Sequence, residues 1–283
     1  MKRIVILAAA LLIVFSSAAA AQSVQPVRPD RPIKAVHELV LNDGSRVYGE
    51  IEQETDSEVV FKTTAGAILR ASRGQVVSLK PIMGRMIRGE FRREDPNSTR
   101  LLFAPTGRAI PRGQVYLGVY ETVVPFVQVG ITDRFSFGGG TPLIFDFEDW
   151  NRLYWITPKL QVYTDGQTHA SVGVFHGIAG DDSAGIAYGV VTHDTQGGAF
   201  TIGAGMGYTS DGGHGGVVMV GGEAPAGRNI KLITENYLWK SAAITSGGCR
   251  FFGEHLSADL AVGVAFTDNE VFMFPVVNFV YRF

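Results

Sequence analysis

Six histidines, His37, His169, His176, His193, His214 and His255, are the side chains of this sequence best suited to proton transfer or metal binding near neutral pH. Their spacing makes no site. His193 and Asp194 are adjacent, so on a strand they point to opposite faces and cannot pair. The following Thr195-Gln196-Gly197-Gly198 reads as a turn in which both are solvated. His176 shares an alternating face with Val172, Val174 and Ile178, which suits an interface and not a cleft. The stretch SDGGHGG, residues 210–216, has the glycine of a phosphate cradle but no following Lys-Ser/Thr and no helix, so it reads as a loop. No G-x-S-x-G occurs, and the single cysteine, Cys249, allows neither an internal disulfide nor a zinc cluster. No catalytic, cofactor-binding or metal-binding residue is assigned, no cofactor is expected, and the chain does not read as an enzyme.

A different set of residues draws attention. Lys159, Lys231, Glu235, Arg250, Asp259 and Arg282 each fall on the small or polar face of an alternating apolar segment. Charges of both signs on one face support two chemistries. They line a polar path for small solutes, or they pair with one another and fill the space between them.

The elements that position these charges are strands. Phe200, Ile202, Ala204, Met206 and Tyr208 alternate with Thr201, Gly203, Gly205 and Gly207. Ala258 to Phe266 repeats the format, with Asp259, Ala261, Gly263 and Ala265 on the second face. Tyr154 to Thr164 does so as well, Tyr154, Ile156, Leu160 and Val162 opposing Thr157, Lys159 and Gln161. A period of two with one apolar face marks half-buried strands. These segments reach the roughly 9–11 residues that a tilted membrane strand needs, whereas soluble strands are nearer 5–6. Their second faces carry glycine where a solvated sheet would carry Lys and Glu. The chain is 46% hydrophobic yet has no later run of apolar residues long enough for a helical span. Turn signals at Asp133, 146–149, Asp165, 181–182, Asp194, Asp211, 223–227, Glu254 and 268–269 divide residues 113–283 into about twelve strands. The expected fold is all-β: an antiparallel transmembrane β-barrel. The connections at 121–125, 146–151, 179–183, 210–215, 239–241 and 268–269 are all short, leaving none to fold inward as a constriction.

Residues 1–21 combine Lys2 and Arg3, an apolar run from Ile4 to Phe15 and small residues ending in Ala19-Ala20-Ala21, the order of a secretory signal peptide. Residues 22–35 read as a proline-bearing flexible leader. From 36 to 82, five short alternating segments separated by Asn42-Asp43-Gly44, Thr55-Asp56-Ser57 and Ala65-Gly66 form a small β domain, expected in the periplasm. The run LVLNDGSRVYGEI…EVVFKTTAGAILRASRGQVVSL resembles the SH3-like and Sm-like small barrels. It has no basic stripe, and the whole chain carries a formal charge of −2, so nucleic acid is not an expected partner. Residues 83–112 read as a basic linker, with Arg85, Arg88, Arg92, Arg93, Arg100, Arg108 and Arg112 either solvated or set against anionic headgroups.

The last nine residues, PVVNFVYRF, place Val277, Phe279, Tyr281 and Phe283 on one face. This is similar to the C-terminal strand signal of bacterial outer-membrane β-barrels, and ITDRFSFGGGTP at 131–142 resembles a hairpin of uncharacterised members of that class. The resemblance implies an outer-membrane location, a lipid-facing surface and recognition by the barrel-assembly machinery. Three functional readings follow: a narrow porin-like channel for small solutes, a structural or envelope-linking protein whose small domain binds a periplasmic partner, and, third, a barrel enzyme.

Overall fold

The computed structural model describes residues 36–82, 84–87, 90–143, 153–195, 197–267 and 270–283. The expected signal peptide and leader lie outside the described residues. The chain divides into two compact units.

The smaller unit is an antiparallel sheet of Val36–Leu41 (β1), Arg46–Glu54 (β2), Glu58–Thr63 (β3), Ile68–Ser72 (β4) and Val76–Ile82 (β5), in spatial order β4-β3-β2-β1-β5. Its first turn forms because Gly44 takes φ +85° without a Cβ penalty and Asp43 Oδ1 accepts the Ser45 N–H at 2.8 Å. That backbone hydrogen bond holds the Asp43 carboxyl below its ordinary pKa. Leu39, Val59 and Phe61 are fully buried at the centre of this unit. Two further strands, Gly84–Ile87 (β6) and Glu90–Arg93 (β7), pair as a hairpin within it.

The larger unit is a closed barrel. Its wall runs through Val115–Tyr120 (β8), Val124–Gly130 (β9), Phe135–Gly140 (β10), Leu153–Ile156 (β11), Lys159–Thr164 (β12), Thr168–Ala179 (β13), Asp182–Thr195 (β14), Gly198–Thr209 (β15), His214–Pro225 (β16), Ile230–Trp239 (β17), Ala242–Phe252 (β18), Leu256–Thr267 (β19) and Val271–Arg282 (β20). Each strand pairs antiparallel with the next, except β11 with β12, and β20 closes the ring on β8. The segment expected as one strand from Tyr154 to Thr164 is broken at Thr157-Pro158, since proline has no N–H for the ladder. Both pieces, β11 and β12, pair with β10 and with β13, so they occupy one place in the wall. Counted so, the barrel has twelve strands, the number its turn signals indicate.

Closure sorts the side chains. Leu117, Val127, Leu160, Val172, Phe200, Met206, Leu238 and Leu260 face outward and remain 43–54% exposed. Inward positions alternate bulky and small. Phe126 lies over Gly118, Tyr188 over Gly173 and Phe274 over Gly263, each ring crossing the glycine of a neighbouring strand. The inward glycines therefore make room for aromatic rings as well as for a narrow lumen. A Cβ on Gly118 would stand 2.5 Å from the Phe126 ring and 2.8 Å from the Phe279 carbonyl oxygen. We expect Gly118→Ala to cost about 1–3 kcal/mol, the usual penalty of overpacking, read as a lower urea midpoint for unfolding in detergent micelles. An unchanged midpoint would show that the ring moves aside freely.

Candidate functional site

The wall strands end at two rims. One, called basal here, carries Val115 and Phe283; the other, the far rim, carries the turns at 121–123, 180–181, 210–213 and 240–241. Register fixes which residues share the inner face. Lys159 is opposite Gly173, Glu235 opposite Ser246, Arg250 opposite Asp259, and Asp259 opposite Asn278. All six charges singled out on the alternating faces, Lys159, Lys231, Glu235, Arg250, Asp259 and Arg282, are less than 9% exposed. They lie between mid-height and the basal rim, and three of them, Lys159, Glu235 and Arg250, bind residues 97–108.

This corrects the linker reading of 83–112. Its first part is the β6–β7 hairpin, and residues from Pro96 onward belong to the barrel unit. The segment is seated in the lumen because inward side chains of well-separated wall strands bind its backbone at once. Glu235 Oε2, on β17, accepts the N–H groups of Leu102, Phe103 and Ala104 at 2.9, 3.0 and 3.0 Å, and Oε1 accepts the Tyr237 hydroxyl at 2.6 Å. Arg250, on β18, donates Nη1 to the Asn97 and Arg100 carbonyls at 2.7 and 3.2 Å and Nη2 to the Leu101 carbonyl. Its Nε and Nη2 form a two-point pair with Asp259 at 2.5 and 2.9 Å. Lys159, on β12, donates to the carbonyls of Thr99, Thr106 and Arg108 at 3.3, 3.3 and 2.8 Å. Asn278, on β20, donates to the Leu102 carbonyl at 3.1 Å.

Gly107 is the tightest point of the seat. Its carbonyl accepts from Gln161 Nε2 at 2.9 Å and Ser171 Oγ at 2.8 Å, and its N–H donates to Thr192 Oγ1 at 2.9 Å. A Cβ there would fall 2.0 Å from the His169 carbonyl oxygen, so only glycine fits. Leu101, Leu102 and Ala104 add an apolar contact, packed in one core with Val190, Val217, Met219, Ile233 and Val276.

A second charged group lies toward the basal rim. Arg108 meets Asp194 at 2.5 Å and Glu223 at 2.7 Å, Glu223 also pairs with Lys231, and His169 Nε2 stands 3.3 Å from Asp194. This corrects the turn reading of Thr195 and its neighbours: β14 runs on to Thr195, so Asp194 points into the lumen and is only 17% exposed. His193 does face the other way, as adjacency on a strand requires. Arg282 donates to the Glu254 carbonyl at 3.3 Å near the same rim. Arg100, expected among solvated or headgroup-bound arginines, is buried over the Phe126 ring at 4.2 Å and bonded to Gln128 and Tyr120. Arg112 is exposed.

The residues of the C-terminal strand signal stand apart from this site. Phe279, Tyr281 and Phe283 are exposed on the outer face with Val277 half-buried on the same row, and Tyr281 meets Phe283 edge-on at 4.7 Å. The remaining histidines form no site: His176 bonds Tyr208 on the outer face, and His255 bonds the Arg282 carbonyl. Among the described residues no cluster of His, Cys, Asp and Glu has the arrangement of a metal site.

No protein-family model and no curated protein sequence matches the chain. Solved structures similar to it include the KdgM porin in complex with disordered oligogalacturonate, at 7% identity over 60% of this chain and 98% of that one, TM-score 0.46. The NanC porin aligns at 10% identity over 59% and 98%, TM-score 0.43. A loop L8 deletion mutant of OmpT, an outer membrane protein of Vibrio cholerae, aligns at 11% over 88% and 96%, TM-score 0.37. Likeness of this degree assigns no residue, ligand or activity to the chain.

Proposed function

We propose that the protein is an outer-membrane barrel channel for small solutes, closed at rest by its own residues 96–112. The membrane reading rests on physics. The barrel is closed, so every strand has two partners, and its outer face is a ring of half-exposed Leu, Val, Phe and Met. Such a surface is stable against lipid and costly in water. In this reading the small unit of residues 36–95 is periplasmic.

The observation that carries the closed state is the capture of the segment's main chain by charged groups of the wall. Glu235, Arg250 and Lys159 bind nine backbone groups between Asn97 and Arg108. A wall with the same charges and no inserted segment would be a polar path. The inserted segment converts it into a sealed one. Displacing the segment would expose groups that water can satisfy, which is what a solute path needs.

Planar-bilayer recording tests both halves of this reading. The unaltered protein should show small or no steps. In Gly107→Val the added side chain cannot coexist with the His169 carbonyl, so that turn is displaced and openings should become about tenfold or more frequent, a shift of roughly 1.4 kcal/mol in the seating equilibrium. Lys159→Met, which removes three bonds to the segment without adding bulk, should act in the same direction. Large, stable steps from the unaltered protein would reject closure at rest. Silence from both variants, each folded by heat-modifiable migration, would reject the path.

A further inference from the structure

The lumen has two halves of opposite chemistry. Below mid-height it is charged and filled by residues 97–108. Above it, the inward strand positions carry no charged side chain until the far rim itself, where Asp182 opens β14 and Glu121 stands in the turn after β8. They carry rings. Trp155 stacks with Phe175 at 6.0 Å, Tyr188 follows on the neighbouring β14, Trp239 stands on β17, and Phe274 and Phe272 stack at 6.0 Å on β20. Phe175, Tyr188, Trp239 and Phe274 are only partly buried although they face inward, so the rings border open space. Phe103 of the seated segment, 5.4 Å from the Tyr120 ring, forms part of the floor.

This apolar lining continues onto the outer surface. Val271, Phe272 and Met273 are consecutive on β20, so they point alternately out and in, yet they are 69%, 63% and 68% exposed. Both faces of the strand end are open, and the inner apolar surface passes over the rim to the outer one. On this side β8 pairs with β20 only from Asn278 to Arg282. The rest of that β20 edge is blunted against strand addition. Pro275 has no N–H to offer. An added peptide strand is therefore disfavoured where an apolar chain is not.

We infer that the upper lumen is a binding site for the acyl chain of a single amphiphile, such as a fatty acid or lysolipid, which enters across the β20 rim from the lipid-facing surface. The inference rests on the membrane placement proposed above but not on the gating of the segment. Three things select this occupant: aromatic walls without charge below the rim, continuity with the lipid-facing surface, and an edge that disfavours strands.

Tryptophan quenching tests it. The three tryptophans are Trp150, Trp155 and Trp239. Replacing Trp150, which lies outside the described residues, with Phe leaves two reporters, both on the inner wall. In lipid nanodiscs, titration with dibromostearic acid should give saturable quenching near one equivalent, on top of the linear rise from bulk partitioning. Phe272→Glu and Ala184→Glu place a carboxylate on inward, solvent-exposed rim positions and should weaken this phase about tenfold or more. Val271→Glu, one residue away but outward, should leave it unchanged. A purely linear response in the unaltered protein, or equal affinity in all three variants, would overturn the inference. So would a dimer in the nanodisc that shields both tryptophans without any quenching by the fatty acid. Failure of the protein to co-float with vesicles would instead reject the membrane placement, a separate result.

Discussion

Arg250→Met should destabilise the barrel by about 3–5 kcal/mol, because it leaves a buried carboxylate without its partner. Arg250 is fully buried and Asp259 is 1% exposed. The two are direct cross-strand neighbours and share two hydrogen bonds. The same guanidinium also holds the carbonyls of Asn97, Arg100 and Leu101. Methionine keeps an apolar stem and has no donor, so the ion pair and its hydrogen bonds are what is chiefly lost. The expected readout is a lower temperature for loss of the compact form on semi-native gels and a lower urea midpoint in micelles. Removing both charges in Arg250→Met/Asp259→Leu should recover most of the loss, since an apolar pair of comparable volume needs no desolvation of ions. If the double variant is as unstable as the single one, the bonds to residues 97–101 outweigh the ion pair.

The barrel was legible in the sequence because its signal is periodic. Alternation over Phe200 to Tyr208 and Ala258 to Phe266 follows from a wall with lipid on one side and a crowded lumen on the other, and the breaks at Asp133, Asp165, Asp181, Asp211 and Glu254 marked turns. The inward position of Lys159, Glu235 and Asp259 followed from the same parity. The inserted segment was not legible, because nothing periodic marks it. Most of the polar contacts of PNSTRLLFAPTGRAIPR with Glu235, Arg250 and Lys159 use backbone groups, which every sequence has. Two local clues existed. Leu101-Leu102-Phe103 is an apolar triplet inside an otherwise polar, basic stretch, and a solvated linker has no use for it. Glu235 also had no inward base opposite it, its register partners being Gly221 and Ser246. An unneutralised carboxylate on an inner face demands donors from elsewhere, and here these are three consecutive N–H groups. Asp194 was misread for a different reason. Glycines at 197–198 signal a turn correctly, but the strand before it extends as far as its partner allows, and β15 pairs up to Gly198.

Glu235→Gln should loosen residues 101–104 by about 2–4 kcal/mol while the wall stays closed, the sum of buried donors left poorly paired. The substitution keeps shape and removes charge. Glu235 is fully buried, and one oxygen takes three N–H groups while the other takes the Tyr237 hydroxyl. In glutamine, one of these two positions becomes an NH2 group. If it faces the backbone, three donors meet a donor; if it faces Tyr237, the hydroxyl loses its acceptor and a neutral oxygen replaces a carboxylate for three donors. Either arrangement weakens a charge-assisted cluster. The wall ladder between β16, β17 and β18 uses main-chain atoms and is untouched. The expected outcome is therefore selective: faster amide hydrogen exchange at Leu102 to Ala104 with little change along β17, and more frequent openings in bilayer recordings. Uniform loss of protection across the barrel would mean that Glu235 supports the wall itself. Unchanged exchange at the three amides would mean that the apolar contacts of Leu101 and Leu102 suffice to seat the segment without the carboxylate.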